Sequence, residues 1–232
     1  MTRVSGEGAL VIHARPYRET SAIVSLLTPG YGRVAVVARG VRGNRRGNVL
    51  QPFNRVQVSW TGRGSMYTLT GCDLIRHAWL SGNSLAAGFY VLELLSRLLP
   101  EHETMPSVYA AACWALEHLE TGQPATDVVL REFEKLLLEE LGYGLDFSRD
   151  ADSGLPVCAD RQYVMHPDSG FVAIEGAGRG YPGAALLDIA AANYESRQAR
   201  VAAKKIFRQA LEPLLGNRPL ASRRLLRRRQ AG

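Results

Sequence analysis

Apolar and polar residues alternate strictly along two stretches near the start of the chain, Arg33 to Arg39 and Arg55 to Thr61. In the first, Val34, Val36 and Ala38 face one way and Arg33 and Arg39 the other; in the second, Val56, Val58 and Trp60 oppose Arg55, Gln57 and Ser59. A period of two marks a strand with one buried face. Three further runs, Ala9 to His13, Ser21 to Thr28 and Met66 to Ile75, are also expected as strands, because Gly and Pro break the chain between the five at Pro16, Pro29-Gly30, Gly40 to Gly47, Pro52 and Gly62 to Gly64. Five short strands with no room for a long helix predict a small barrel of the OB type over residues 1–80, with an SH3-like barrel as the competing arrangement.

From Ser84 the apolar period becomes that of helices. Leu85, Phe89, Leu92 and Leu95 to Leu99 form one wide apolar face, and Pro100 ends it. Pro106 and Pro124 are placed to open the next two helices, Pro106 to Glu120 and Pro124 to Leu141, with Gly142 as the C-terminal cap of the second. Residues 148–181 break the pattern, and within them Tyr163 to His166 and Phe171 to Ile174 flank a turn at Pro167 to Gly170. Helices resume near Ala184, from Glu195 to Leu215 with Pro213 ending or kinking the second, and from Ser222 to Arg229. The fold class is therefore multi-domain α+β: a five-stranded barrel over 1–80, then a helical bundle over 81–232 with a small irregular insert.

Charge sharpens this division. Residues 1–80 carry a net +8, residues 81–196 a net −12 and residues 197–232 a net +10. Two basic ends around an acidic middle imply either internal electrostatic docking or two anion-facing surfaces. The loop between the two alternating strands holds Arg42, Arg45 and Arg46 among Gly40, Gly43, Asn44 and Gly47, a composition that predicts a mobile, cationic connection open to a ligand.

Several classes of chemistry find no support. No apolar run reaches the roughly 18 residues of a membrane span, and the first residues lack the apolar centre of a signal peptide, so a cytoplasmic location is expected. Cys72, Cys113 and Cys158 are far apart and include no C-x-x-C pair, which predicts reduced thiols, no zinc site and no disulfide. The five histidines fall in five separate elements, no G-x-S-x-G elbow occurs, and Gly176 to Gly180 lacks the Lys-Ser/Thr pair of a phosphate loop. Glu132, Glu134, Glu139 and Glu140 share a helix with Arg131 and Lys135, where exposure and local pairing account for them. No catalytic residue and no cofactor are expected.

The basic features of the barrel are more specific. Arg33, Arg39, Arg42, Arg45, Arg46, Arg55 and Arg63 gather around one sheet and its longest loop, with Tyr31, Phe53, Trp60 and Tyr67 interleaved. Single-stranded nucleic acid binds through such a combination, cations tracking phosphates and aromatic faces stacking on bases. Trp60 and Phe53 are expected in the barrel core, Tyr31 and Tyr67 on its surface. The set is all arginine, whose planar fork suits phosphate; lysine does not occur before Lys135.

Across nearly its whole length the chain resembles the bacterial recombination mediator RecO family. The resemblance rests on Leu10 to Thr20 (LVIHARPYRET), Gly32 to Gly40 (GRVAVVARG), Leu50 to Phe53, Gly62 to Gly64, Phe133-Glu134 through Leu141-Gly142-Tyr143-Gly144 with Phe147, and Leu215 to Leu220 with Ser222-Arg223. It implies an N-terminal OB fold, a helical domain, binding to single- and double-stranded DNA, annealing of complementary strands and help in loading RecA. The implied partners are RecR, in some cases RecF, and the acidic C-terminal tail of single-strand-binding protein (SSB). Many members carry a four-cysteine zinc module in the insert; here residues 148–181 offer only Cys158, so no zinc is expected.

The candidate DNA-binding set is therefore Arg33, Arg39, Arg42, Arg45, Arg46, Arg63, Tyr31 and Tyr67. Lys204, Lys205 and Arg208, with an apolar notch involving Phe207 or Leu211, form a second candidate, a dock for the acidic SSB tail. A protein-only adaptor and an RNA-binding OB protein are the rival classes.

Overall fold

The computed structural model describes residues 2–41, 45–64, 66–167, 169–175, 180–222 and 225, with Arg45 and Arg46 described by their backbone alone. Arg42 to Asn44, Gly176 to Arg179 and most of the helix expected over Ser222 to Arg229 lie outside the described residues.

Strands β1 (Thr2–Tyr17), β2 (Ser21–Thr28), β3 (Gly32–Ala38), β4 (Arg55–Arg63) and β5 (Met66–Arg76) close into a barrel in the order β1-β2-β3-β5-β4, with β1 returning to pair with β4. Every pairing is antiparallel except β3 with β5, which run parallel over Ala35–Val37 and Met66–Thr68. This is the OB topology, and it excludes the SH3-like alternative. The alternating positions behave as their period predicts: Val34, Val36, Ala38, Val56, Val58 and Trp60 fill the interior with Val4, Ala9, Val11, Val24 and Leu26.

β1 is much longer than its apolar run. Bulges between Val4 and Glu7 and between Val11 and His13 break its alternation and bend it, so that one strand serves β4 with its first half and β2 with its second. At the other end of the β2–β3 turn, Gly32 has φ +65, and a Cβ there would lie 2.0 Å from the Glu103 carbonyl oxygen. Only glycine fits.

From Arg45 on, the connection between β3 and β4 differs from the loop expected there. It contains a short helix, α1 (Arg45–Val49), held from both sides. Val41 and Leu50 are buried in the barrel core, the Val41 amide donates to the Thr20 carbonyl at 2.9 Å, and Asn54 Nδ2 donates to the Val49 carbonyl at 2.8 Å. A satisfied, buried asparagine thus ties off the end of the helix.

Two compact units make up the chain, one of Met1–Thr126 with Pro219–Gly232, the other of Asp127–Arg218. In the first, α2 (Gly82–Leu98) packs on β1 and α3 (Pro106–Thr121) on β2. Pro106 occupies the first turn of α3, and Gly122, at φ +70, ends it. The chain beyond Pro219 returns to α2, where Leu220 and Ser222 are buried.

In the second unit, α4 (Thr126–Glu140) begins two residues after Pro124 rather than at it, and Gly142, at φ +82, ends it with the Gly142 and Tyr143 amides donating to Glu139 and Leu138. The expected hairpin is present as β6 (Gln162–His166) and β7 (Gly170–Ile174), joined by β8 (Tyr181–Pro182) in a sheet of order β7-β6-β8. Helices α5 (Gly183–Ala190) and α6 (Arg197–Leu215) pack together, and Phe147 lies between Phe171 and Phe207 at 5.1 and 5.8 Å. Glu134 departs from its expected exposure: it is 1 % exposed and pairs with the buried Arg131 at 3.0 Å, so α4 carries an internal ion pair where surface charge was anticipated.

Candidate nucleic-acid interface

The barrel brings together part of the predicted set. Arg39 is exposed just past the end of β3, beside Leu69, Thr70 and Cys72 of β5. Arg63 is exposed at the last position of β4, opposite Met66. Tyr31 is 40 % exposed, and Tyr67 is half-buried on β5. The fully buried Trp60 supports both tyrosines, meeting Tyr31 edge-on at 5.2 Å and Tyr67 at 6.1 Å. His102 completes the cluster with an edge contact to Tyr67 at 5.8 Å, a member that its distance in sequence had concealed.

Arg33 is different. Its Nε donates to the Leu99 carbonyl at 3.0 Å and its Nη1 lies 3.3 Å from Glu101, so this guanidinium braces β3 against the segment after α2. Arg33 and Arg39 share the outer face of β3, six residues apart, which separates their backbones by roughly 20 Å. Arg42 lies outside the described residues, and Arg45 and Arg46 begin α1, placed by their backbone.

Two other arginines are neutralised. Arg55 pairs with Glu117 at 2.8 Å, and Arg76 pairs with Glu120 at 2.8 Å and Glu117 at 3.5 Å. Hydrogen bonds from Arg76 and the Trp79 amide hold the Glu120 carboxyl below its ordinary range. Part of the acidic middle of the chain thus docks on the basic barrel within one unit, which answers how the two charge blocks coexist. Burial pushes the Cys113 thiol up, which keeps it protonated and unreactive as a nucleophile.

On α6, Ala199, Ala202, Ala203, Ile206, Phe207 and Leu211 form the buried face, and Lys204, Lys205 and Arg208 the exposed one. The expected apolar notch needs correction: Phe207 is 1 % exposed and Leu211 wholly buried, so neither can receive a ligand side chain. A cleft of about 440 Å³ lies beside Lys205 instead, lined by Val164, Met165, Tyr181, Pro182 and the exposed Val201.

Comparison with known proteins accords with this architecture. Residues 1–78 match the family model described as Recombination protein O N terminal, and residues 80–224 match Recombination protein O C terminal. The chain belongs to the RecO family. Among its relatives, the DNA repair protein RecO of Cellvibrio japonicus is 42 % identical over 96 % of this chain and 97 % of its own length. That of Pseudomonas putida is 40 % identical over 99 % and 100 %, and that of Yersinia enterocolitica 39 % over 94 % and 92 %.

The zinc module associated with the family does not fit the residues present. In the insert Cys158 is the single thiol, exposed, with its Sγ near the Pro156 carbonyl at 3.7 Å, and among the described residues no group of three or more His, Cys, Asp or Glu is gathered for a metal. A carboxylate organises the segment. Asp150 accepts from the Asp152, Ser153 and Ala173 amides at 3.0, 2.9 and 2.8 Å, joining the start of the insert to β7, and these bonds lower its pKa.

Proposed function

We propose that this protein is a non-enzymatic recombination mediator in DNA repair that binds single- and double-stranded DNA, anneals complementary strands and assists the loading of RecA onto SSB-coated strands. Membership of the RecO family supports the role in DNA repair. The observation that carries the binding mode is the exposed pair Arg39 and Arg63 on a closed OB barrel, with Tyr31 and Tyr67 propped on a buried Trp60. Annealing requires no bond-making group, because base pairing supplies the driving force once phosphate repulsion is reduced.

In this reading Arg39, Arg42, Arg45, Arg46 and Arg63 neutralise the backbone, Tyr31 and Tyr67 stack on bases, and Arg33 serves as a brace. Residues 1–80 form the nucleic-acid-binding domain and 81–232 the helical domain with its metal-free insert. RecR, and in some settings RecF, are its partners in the bacterial cytoplasm, at the nucleoid. The SSB tail, acidic with an apolar end, is placed on α6, its carboxylates on Lys204, Lys205 and Arg208 and its last side chain in the cleft beside Val201.

Affinity of the full chain for single-stranded DNA, duplex DNA and RNA at two salt concentrations tests the reading. A mediator binds DNA with a steep salt dependence and accelerates annealing. A flat dependence would point to a protein-only adaptor, and a preference for RNA to the third class.

A further inference from the structure

The turn between α2 and α3 adds a side chain to the aromatic cluster of the barrel. His102 is exposed, and its ring meets that of Tyr67 on β5 at 5.8 Å with the two planes at 88°. Tyr67 lies 6.1 Å from the buried Trp60, and Trp60 lies 5.2 Å from Tyr31. Four rings therefore run in series from the β2–β3 turn, past the barrel core, to the α2–α3 turn, all within one compact unit. An edge contact leaves at least one face of each ring uncovered by the other.

The backbone on both sides of this cluster is fixed. The His102 amide donates to the Arg33 carbonyl at 3.0 Å, Glu101 bridges to Arg33 in parallel, and the Arg33 side chain reaches back to the Leu99 carbonyl and to Glu101. The Glu103 carbonyl presses on Gly32, where a Cβ would meet it at 2.0 Å. On the facing turn, the Tyr31 amide donates to Thr28 Oγ1 at 3.0 Å, and the Thr28 hydroxyl donates to the Gly32 carbonyl at 3.1 Å. Tyr31 and His102 are thus carried on two turns locked against one another, which is the rigid support a binding surface needs.

His102 itself sits at φ +64, in the left-handed region that disfavours a Cβ and where glycine is at ease. Its ring strains the turn while staying in solvent, and backbone strain of this kind gathers where a side chain serves a contact outside the fold. Charge narrows the contact. Glu101 and Glu103 flank His102, and Arg33 is taken up by Glu101, so the turn carries more negative than positive charge, which favours a base over a phosphate. We infer that the imidazole of His102 is a stacking surface for one base of single-stranded DNA, continuing the row of Tyr31 and Tyr67, an assignment that rests on the DNA-binding reading above and carries the binding surface past residue 80.

The test measures binding of fluorescent oligo(dT), and of an abasic strand of equal length, to the unaltered full chain and to His102→Gly, His102→Asn and His102→Phe, with thermal melting of each. Gly and Asn suit the left-handed turn and carry no ring. Both variants should melt at or above the temperature of the unaltered chain yet bind oligo(dT) about fivefold more weakly or worse, the low end of what one stacked base contributes. His102→Phe, which restores a ring, should keep most of the affinity. On the abasic strand all four proteins should bind alike, and the salt slope on oligo(dT) should be the same in all four, because no phosphate contact is lost. Gly and Asn variants that bind oligo(dT) like the unaltered chain overturn the assignment. So does a deficit that persists on the abasic strand, a slope lower by about 0.7, which marks a phosphate contact, or a melting temperature lowered in both variants, which marks the ring as structural. If the unaltered chain does not bind oligo(dT), the DNA-binding reading falls, and this site with it.

Discussion

Arg33 extends Nη1 to within 3.3 Å of Glu101 Oε1, a residue 68 positions further along, while its Nε donates to the Leu99 carbonyl and the His102 amide donates to the Arg33 carbonyl at 3.0 Å. Backbone and side chain together fasten the start of β3 to the turn between α2 and α3. Replacement of Arg33 by Ala should therefore lower stability by about 1 kcal/mol, most of it from the lost carbonyl hydrogen bond, since the half-exposed ion pair adds little. Urea denaturation measures the first effect. The salt slope for single-stranded DNA should be unchanged.

Arg39 and Arg63 should behave in the opposite way. Each is exposed, and each Ala substitution should leave the melting temperature in place while flattening the salt slope by about 0.7. Replacing Arg42, Arg45 and Arg46 together should remove about 2. Fluorescence titration across a salt series reads both, and an unchanged slope in the triple variant removes α1 and its approach from the DNA path.

Charge reversal at Lys204 and Lys205 should abolish binding of an SSB-tail peptide while naked-DNA binding is kept, and Val201→Asp should do the same by closing the apolar side of the cleft. Phe207→Ala is a poor probe of that site. It truncates a core ring against Phe147 and should cost about 3–5 kcal/mol in stability, visible by calorimetry before any peptide is added. If the Lys204/Lys205 reversal lowers DNA and peptide binding together, α6 is further DNA surface.

Asp150 links the insert to pH. Its folded pKa is depressed below the ordinary 3.8 by backbone amides of Ser153 and Ala173, so its contribution is fully present above the unfolded value and disappears as pH falls through 3.8 toward the lower folded one. Asp150→Asn should destabilise the insert near neutral pH and flatten its acid dependence. Hydrogen exchange at the Ala173 amide from about pH 5 down to about pH 2, across the carboxylate titration, distinguishes the two. Added chelator should leave both proteins unchanged, because one thiol cannot replace four.

How much of this was legible in the chain depends on whether the signal is local. β3 and β4 follow from a period of two, β2 and β5 from short apolar runs between the breaks at Gly and Pro. β1 was underestimated because its two bulges interrupt the alternation, and α1 was missed because five residues of Arg, Gly, Asn and Val show no helical period; Val41, Leu50 and Asn54 hold it from outside. Phe207 could have been placed: the spacing that puts Ala203, Ile206 and Leu211 inward puts Phe207 with them. The partners of Arg33, Arg55 and Arg76 could not, since each lies at least 41 residues away. An arginine's exposure depends on which carboxylate the fold delivers to it, and composition is blind to that.

The double duty of β1 also sets an order of events during synthesis. Its second half can pair with β2, and β2 with β3, as soon as the first 38 residues are available, a three-stranded meander of short-range contacts. Its first half must wait until β4, which ends at Arg63, has been made, and the parallel seam to β5 comes last. A nascent chain paused between β3 and β4 therefore presents two unpaired strand edges, and the ribosome's pace through residues 39–54 governs how long they stay open to a stray neighbour.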